Sequence, residues 1–494
     1  MTIAKKNKKD VLLIYPGQFA ESDPNFPIQL LCLAKPLIEQ GISVEILDSR
    51  INDYRSFDFR GYKVIGITVM TVFYARARKI SEFIKQTTRE AIIVYGGHHP
   101  SLEPIATLRE NEAVNYIICG DGEESFLRLC QKIIYKADID FSDIEGLAFK
   151  QEKDILVNQP KEILNLDGPN FLPYGLLSIA DYPKAKERFE FYSSRGCPHS
   201  CSFCSNSIRN IRWRAKTPEV MVEEIKDIIS LFSPKIISIF DANFFVSKSR
   251  VTEFCKLLIK ERIKVKFYAM GRCDYFAGYD YDFMKLLAEA GFIEIAMGAE
   301  SGSLAMLKYL NKNITVEMIL SSVKNCLAHK IKPILSFVID VPNETKKDVY
   351  QTLDVYDLIV KSGAAVNGIF LFIPFPGSKI TSEIMEKFEL PKDTYARSLY
   401  DIKEVGYHNR GYELFCQTIS FCAHLFLVRS IRKKWSFSRK LVRDKHWMKV
   451  VANDFIDWLF YYFAKARWQL RFFYWGYDLR FYWWLRNRDF SVKK

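Results

Sequence analysis

The sequence predicts an α/β protein in three parts: an N-terminal doubly wound, Rossmann-like sheet, a partial (β/α)6 barrel, and a mainly helical C-terminal region. Three observations carry this expectation. Short apolar runs alternate with helical patterns over residues 1–150 and again over 186–390, which is how parallel sheets with helical crossovers are written. A loop-rich stretch with prolines from Pro169 to Pro183 lies between the two series and reads as a boundary. Finally, 494 residues exceed one ordinary domain. The expected divisions are 1–150, a linker over 151–185, 186–390 and 391–494.

In the first part, strands are expected at Val11–Tyr15, Val44–Asp48, Val64–Thr68, Ala91–Tyr95 and Asn115–Cys119. Each is a short apolar run bounded by turn residues. Helical patterns run from Ile28 to Gln40, closed by Gly41, from Arg76 to Gln86, and from Glu124 to Lys132. Two of the strands end in glycine: Gly96-Gly97-His98 follows one, and Gly120-Asp121-Gly122-Glu123 follows another. Ligands of doubly wound sheets bind at these carboxyl ends, and glycine lets backbone approach them closely. Tight turns need glycine as well, so these residues fit either role. Residues 144–149 and 155–160 read as a hairpin.

The second series starts at the strand containing Phe191 and Tyr192. Thr217-Pro218-Glu219 opens a helix that reaches about Phe232. Further strands are expected at Ile236–Asp241, Val265–Met270, Ile293–Met297, Ile334–Ile339 and Gly368–Ile373, giving six βα units. The reacting groups of such a barrel belong on the loops after the strands. Asp241 and Asn243, Arg272, and Glu300 with Ser301 all occupy such positions.

The most specific stretch is Cys197-Pro-His-Ser-Cys201-Ser-Phe203-Cys204. Thiolates suit Fe–S clusters, zinc or copper(I). A [4Fe–4S] cluster normally takes four cysteines, and a structural zinc site also closes with four ligands. This spacing supplies three, with no fourth cysteine nearby, so one corner stays open for a small molecule. The alternatives are a zinc site completed by His199 or a distant residue, and a set of ordinary buried thiols.

Arg195-Gly-Cys-Pro followed by Ser-Phe-Cys204 resembles the signature of the radical S-adenosylmethionine (SAM) enzymes. The resemblance implies a [4Fe–4S] cluster on Cys197, Cys201 and Cys204, with SAM chelating the open iron and cleaved to a 5′-deoxyadenosyl radical. Gly298-Ala-Glu300-Ser301 matches the family's Gly-x-Glu-Ser element, which implies contacts to SAM. Arg272 matches a basic residue near the SAM carboxylate, and the same likeness places Phe203 and Asp241 at the cofactor. Asp340 stands where many members have glycine before Pro-x-Glu-Thr. The preceding sheet resembles the cobalamin-binding domain of the class B members. Thr68, Thr71, Gly96, Gly97 and His98 would then line the nucleotide tail and corrin, with Gly120 and Glu123 nearby. The Asp-x-His-x-x-Gly motif of many cobalamin enzymes is missing: the first strand leads to Pro16-Gly17-Gln18-Phe19. The activity implied is methylation of an unactivated carbon, with a non-methylating oxidoreductase or cyclase as the alternative. An electron donor such as flavodoxin or ferredoxin is implied too. A non-catalytic metal-binding interaction protein is the reading from another class.

Composition limits the setting. Eleven cysteines lack framework spacing, which points to a reducing cytoplasm. The apolar run at Val11–Tyr15 is too short for a signal peptide, and no run of about 18 apolar residues marks a membrane span. The last 94 residues hold 19 Lys and Arg against 8 Asp and Glu, a net +11 of the chain's +13, together with seven of its eight tryptophans. Asp454 to Arg471 reads as a helix with Phe455, Trp458, Leu459, Tyr462 and Ala466 on one face. That face suits a helical cap on the barrel, or a peripheral contact with an anionic membrane that would go with a lipid-like substrate. Rings can also stack on bases, but no nucleic-acid-binding module is present in the sequence.

Overall fold

The computed structural model describes residues 9–17, 25–168, 172–208, 212–387, 410–433, 447–473 and 481–482. They fall into two compact units: 1–270 with 289–292 and 374–404, and 271–288 with 293–373 and 405–494.

The first unit contains the N-terminal sheet. Its strands are β1 (Val11–Tyr15), β2 (Val44–Asp48), β3 (Val64–Thr68), β4 (Ile92–Gly96), β5 (Tyr116–Ile118), β6 (Leu147–Gln151) and β7 (Asp154–Val157), in the order β2-β1-β3-β4-β5-β6-β7. The first five pair in parallel, and β6 and β7 are antiparallel. The expected hairpin is therefore present, and it extends this sheet. Successive side chains alternate between the two faces. Leu12, Ile14, Ile65 and Ile67 join one core, while Val11, Leu13 and Val64 join the other. Burial on both faces explains why these strands read as unbroken apolar runs.

The same unit holds β8 (Arg188–Phe191), the short antiparallel pair β9 (Ser194–Arg195) and β10 (Arg214–Ala215), β11 (Ile236–Ile239) and most of β12 (Lys266–Gly271). β11 lies parallel to both β8 and β12. Within the stretch that reads as a loop-rich boundary, the described residues 172–183 include packed aromatics. Tyr174 and Tyr182 join Phe26, Phe189 and Phe232 in an aromatic cluster, with centroids 4.7 Å apart for Phe26 and Tyr182, and 4.5 Å for Phe189 and Phe232. The Tyr182 hydroxyl donates to Asp48 at 3.0 Å, and Arg50 grips the same carboxylate at 2.7 Å. The cluster thereby fastens the segment entering the helix Ile28–Glu39 to β8 and to the helix Pro218–Phe232.

The second unit contains most of β13 (Phe292–Glu300), then β14 (Lys332–Ile339) and β15 (Ala365–Leu371), paired in parallel. Thr345 and Asp348 form a reciprocal capping box at the start of the helix Lys346–Lys361. Two long C-terminal helices follow, Arg410–Lys433 and Trp447–Leu470. Both fit the expected helical C-terminal region; the sequence bounds only the second, which begins earlier than Asp454. Trp468 Nε1 donates to Asp357 at 2.8 Å, and Arg471 bridges Asp354 and Asp357 at 2.9 Å each. The packed side of the last helix carries Ile456, Phe460, Ala464 and Trp468. The face the sequence singled out points the other way: Leu459 and Tyr462 are 47% and 51% exposed, and Ala466 is exposed. The side chains of Phe455 and Trp458 lie outside the described residues. An aromatic-rich helix has apolar residues on most of its circumference, so periodicity alone does not choose the buried side. Among the described residues, no helix is long and apolar enough to cross a membrane.

Phe232 is 1% exposed at the centre of the aromatic cluster. Phe232→Ala is expected to lower unfolding stability by about 3–5 kcal/mol, read from denaturant midpoints. A loss below about 1 kcal/mol would mean the cluster is not a core.

Candidate functional site

The carboxyl ends of β1, β3, β4 and β5 open on a cavity of about 750 Å3, within the range of small-molecule sites. Tyr15, Thr68, Gly96, Gly97, His98, Gly120 and Glu123 line it, with Cys32 and Leu33 from the helix Ile28–Glu39. Thr71 opens the short turn Thr71–Phe73 and is not among the lining residues. Gly97 is required by the backbone: its φ is +100°, and a Cβ would come within 2.9 Å of the Val69 carbonyl oxygen. At Gly96 a Cβ would meet nothing nearer than 3.8 Å, so the fold itself leaves room for a side chain there. His98 is exposed at the cavity. Its neighbour His99 is a core residue, stacked on Tyr74 at 4.1 Å, with burial pushing its pKa down to about 4. Burial likewise pushes the Cys32 thiol up to about 11, so it is a neutral wall residue.

The cysteine loop follows β8 in the same unit. Cys201 is buried, and Cys197 and Cys204 are half-buried. The turn is closed by the Cys204 amide donating to the Cys201 carbonyl at 3.1 Å, with half-buried Phe203 between them. Asp241, at the end of β11, sets the approach to this loop. Its carboxylate accepts from the amides of Ser193 and Ser194 at 2.7 and 3.0 Å and from both hydroxyls at 2.6 Å. Burial pushes the Asp241 carboxyl up, against the pull of these hydrogen bonds. Arg250 Nη2 donates to the Ser193 carbonyl at 3.1 Å. Asp241 thus spends its oxygens on the loop's entry, a positioning role the sequence did not suggest. Asn243, two residues on, is 1% exposed, and both its polar side-chain atoms are without a partner among the described residues. A buried amide in this state fits an absent water or ligand.

Arg195 leaves β9 towards the cavity. It donates to Asp121 at 3.0 Å and forks onto the Glu123 carboxylate. Glu123 therefore lines the cavity with its oxygens engaged by Arg195.

In the second unit, Glu300 sits at the end of β13 with a left-handed φ of +62°. Its carboxylate pairs with Lys312 at 2.8 Å, both side chains being 9% exposed. Gly298 makes room for this pair: a Cβ there would fall 2.0 Å from Glu300 Oε1. Arg272 binds Asp274 at 2.9 Å and donates to the Lys312 carbonyl at 2.6 Å. Ser301 shares a hydrogen bond with Thr352 at 3.0 Å. Asp340, at the end of β14, is also left-handed, with φ +66°, and Glu344 accepts from its amide at 2.7 Å. Non-glycine residues held in this region are a feature of functional sites. Lys312 was missed because a lone lysine after a helix carries no sequence signal. Asp121 and Arg214 were missed because their partners are distant in sequence.

The Radical SAM superfamily matches residues 191–355, which contain all three cysteines, and the B12 binding domain matches residues 23–129, which contain the glycines of the cavity. The chain belongs to the cobalamin-binding radical SAM family. The cofactors of this family are a [4Fe–4S] cluster, SAM and cobalamin. An uncharacterized methyltransferase of Pyrococcus horikoshii is 25% identical over 363 residues, 72% of this chain and 77% of the relative. The anaerobic magnesium-protoporphyrin IX monomethyl ester cyclase of a Synechocystis species is 23% identical over 66% of this chain and 67% of its own length. Among solved structures, the cobalamin-dependent S-adenosylmethionine radical enzyme OxsB superposes with a TM-score of 0.68 at 17% identity, over 91% of this chain and 72% of OxsB.

The residues present fit the family's cofactors. Three cysteines fall within eight residues of one loop, and backbone lines the cavity at Gly96 and Gly120. Among the described residues, no three His, Cys, Asp or Glu side chains converge on a single ion position.

Asp241→Asn keeps one acceptor oxygen for four donors. It is expected to cost about 1–3 kcal/mol and to lower the iron and sulfide content after anaerobic reconstitution. A folded variant with the wild-type iron content would remove Asp241 from the positioning of the loop.

Proposed function

We propose that this chain is a cobalamin-dependent radical SAM methyltransferase acting on an unactivated carbon of a small-molecule or lipid-like substrate. One observation carries the reading: the cavity at the B12-type sheet and the three-cysteine loop lie in one unit, joined by Arg195. When bound, the cluster supplies an electron for SAM cleavage and cobalamin supplies methyl-transfer chemistry. The protein's own part is binding and orientation. Cys197, Cys201 and Cys204 would hold the cluster, with Phe203 against it. Thr68, Gly96, Gly97, His98 and Gly120 would meet cobalamin. Arg272, Glu300 and Ser301 would bind SAM, Gly298 allowing the Glu300–Lys312 pair that fixes the carboxylate. No acid–base pair is assigned, because hydrogen-atom abstraction by a radical needs none. The electron would come from an external donor such as flavodoxin or ferredoxin. Similarity to a methyltransferase favours methylation. Similarity to a cyclase supports the second reading, oxidative ring closure without methyl transfer.

Anaerobic incubation of reconstituted protein with cobalamin, reductant, SAM and candidate lipophilic substrates tests the reading by mass spectrometry. 5′-Deoxyadenosine and S-adenosylhomocysteine together, both lost in Cys201→Ala, are the expected products. Deoxyadenosine alone would favour the cyclase reading.

The C-terminal region would rest on an anionic membrane. Leu459, Tyr462, Phe463 and Leu470 are between 47% and 77% exposed, the last 94 residues carry a net +11, and rings with cations suit the headgroup layer. The full chain is expected to sediment with vesicles containing phosphatidylserine and to stay in solution with neutral ones. Equal recovery in both supernatants would remove the membrane from the proposal.

A further inference from the structure

Four charged side chains join the cysteine loop to the wall of the cavity. Arg195 precedes Cys197 by two residues and reaches Asp121 at 3.0 Å and both oxygens of Glu123. Arg214 faces Arg195 across the β9–β10 pair. It donates to the other oxygen of Asp121 and to the Ile163 carbonyl, the latter at 2.7 Å. The Ile163 amide returns a bond to Asp121 at 2.9 Å. Asp121, Gly122, Glu123 and Arg195 all line the cavity. The side chains of Arg214 and Asp121 are 6% and 15% exposed and those of Glu123 and Arg195 are 19% and 33% exposed, so the Arg214–Asp121 pair is shielded from the screening that makes surface pairs weak, and the Arg195 fork is partly shielded. Burial pushes the Asp121 carboxyl up, but Arg195 and Arg214 hold it below its ordinary value, so it is ionised at neutral pH. Asp121 lies between Gly120, at φ +90°, and Gly122. Glycine leaves this backbone more freedom than other residues would, and the two arginines fix it together with the Ile163 amide and the Ser101 hydroxyl, which accepts from the Gly120 amide at 3.1 Å.

We propose that this clasp couples the two cofactor sites: a corrinoid in the cavity and a cluster on Cys197, Cys201 and Cys204 favour the same placement of residues 120–123 and 195–197. The inference rests on the cofactor reading above. Whichever group binds first orders the shared segment, and the second then meets it already ordered. The effect is reciprocal by linkage. Glu123 and Arg195 are positioning residues in this scheme, each acting through the other.

The test is an anaerobic titration of the full-length protein with hydroxocobalamin, followed by absorbance, in cluster-free and cluster-reconstituted forms. Wild-type protein is expected to bind about fivefold or more tightly with the cluster in place. In Glu123→Gln the ratio should fall towards one, and Arg195→Lys, which keeps the charge but not the fork, should lie between. Glu145→Gln removes a carboxylate of the same unit that pairs with Arg128 at 3.1 Å, and its ratio should match the wild type. A wild-type ratio of one overturns the inference without any variant, and so does an undiminished ratio in folded Glu123→Gln. Wild-type protein that binds no corrinoid in either form overturns the cofactor reading as well.

Discussion

A single buried carboxylate governs the entry to the cysteine loop. Asp241 takes hydrogen bonds from the amides and hydroxyls of Ser193 and Ser194, and in a low-dielectric site such bonds are strong because water cannot compete. The direction in which the chain leaves β8 follows from them, and with it the place of Cys197, Cys201 and Cys204. An acidic residue at a strand's end in a βα barrel is readily taken for a ligand contact. Here its oxygens are turned to the protein, and Asn243 is the neighbouring residue with buried polar atoms to offer.

Charge organises the opposite side of the same loop. Arg195 and Arg214 meet Asp121 and Glu123 in bidentate and shared contacts, the geometry in which guanidinium outperforms ammonium. In the same unit, the aromatic cluster of Phe26, Tyr174, Tyr182, Phe189 and Phe232 is held by dispersion and apolar burial. The two kinds of interaction complement each other. The cluster contributes buried apolar area, and the ion pairs supply a specific register between the sheet's Gly120–Glu123 loop and the cysteines.

The second unit repeats the pattern on a smaller scale. Glu300 and Asp340 end neighbouring strands in left-handed conformations, each stabilised by a nearby partner, Lys312 for the first and Glu344 for the second. Strain of this kind persists only where the surroundings over-determine it. The C-terminal helices pack on this unit through Trp468 and Arg471, which turns the outer rings of the last helix towards solvent.

The sequence by itself determined the order of the two α/β series, most of the strands, the three-cysteine loop and the glycine-flanked turns, because each is written in local spacing and periodicity. Strands buried on both faces leave unbroken apolar runs, and close backbone approach leaves glycine. Tertiary structure decided the rest. It assigned Asp241 and Glu123 to protein partners, brought Lys312 to Glu300 and Arg214 to Asp121, and chose the buried face of the last helix. Those outcomes depend on pairs between 12 and 93 residues apart, such as Lys312 with Glu300 and Arg214 with Asp121. Which of two apolar helix faces is buried, and which carboxylate meets which cation, is settled by the surface each one packs against, which local pattern does not encode.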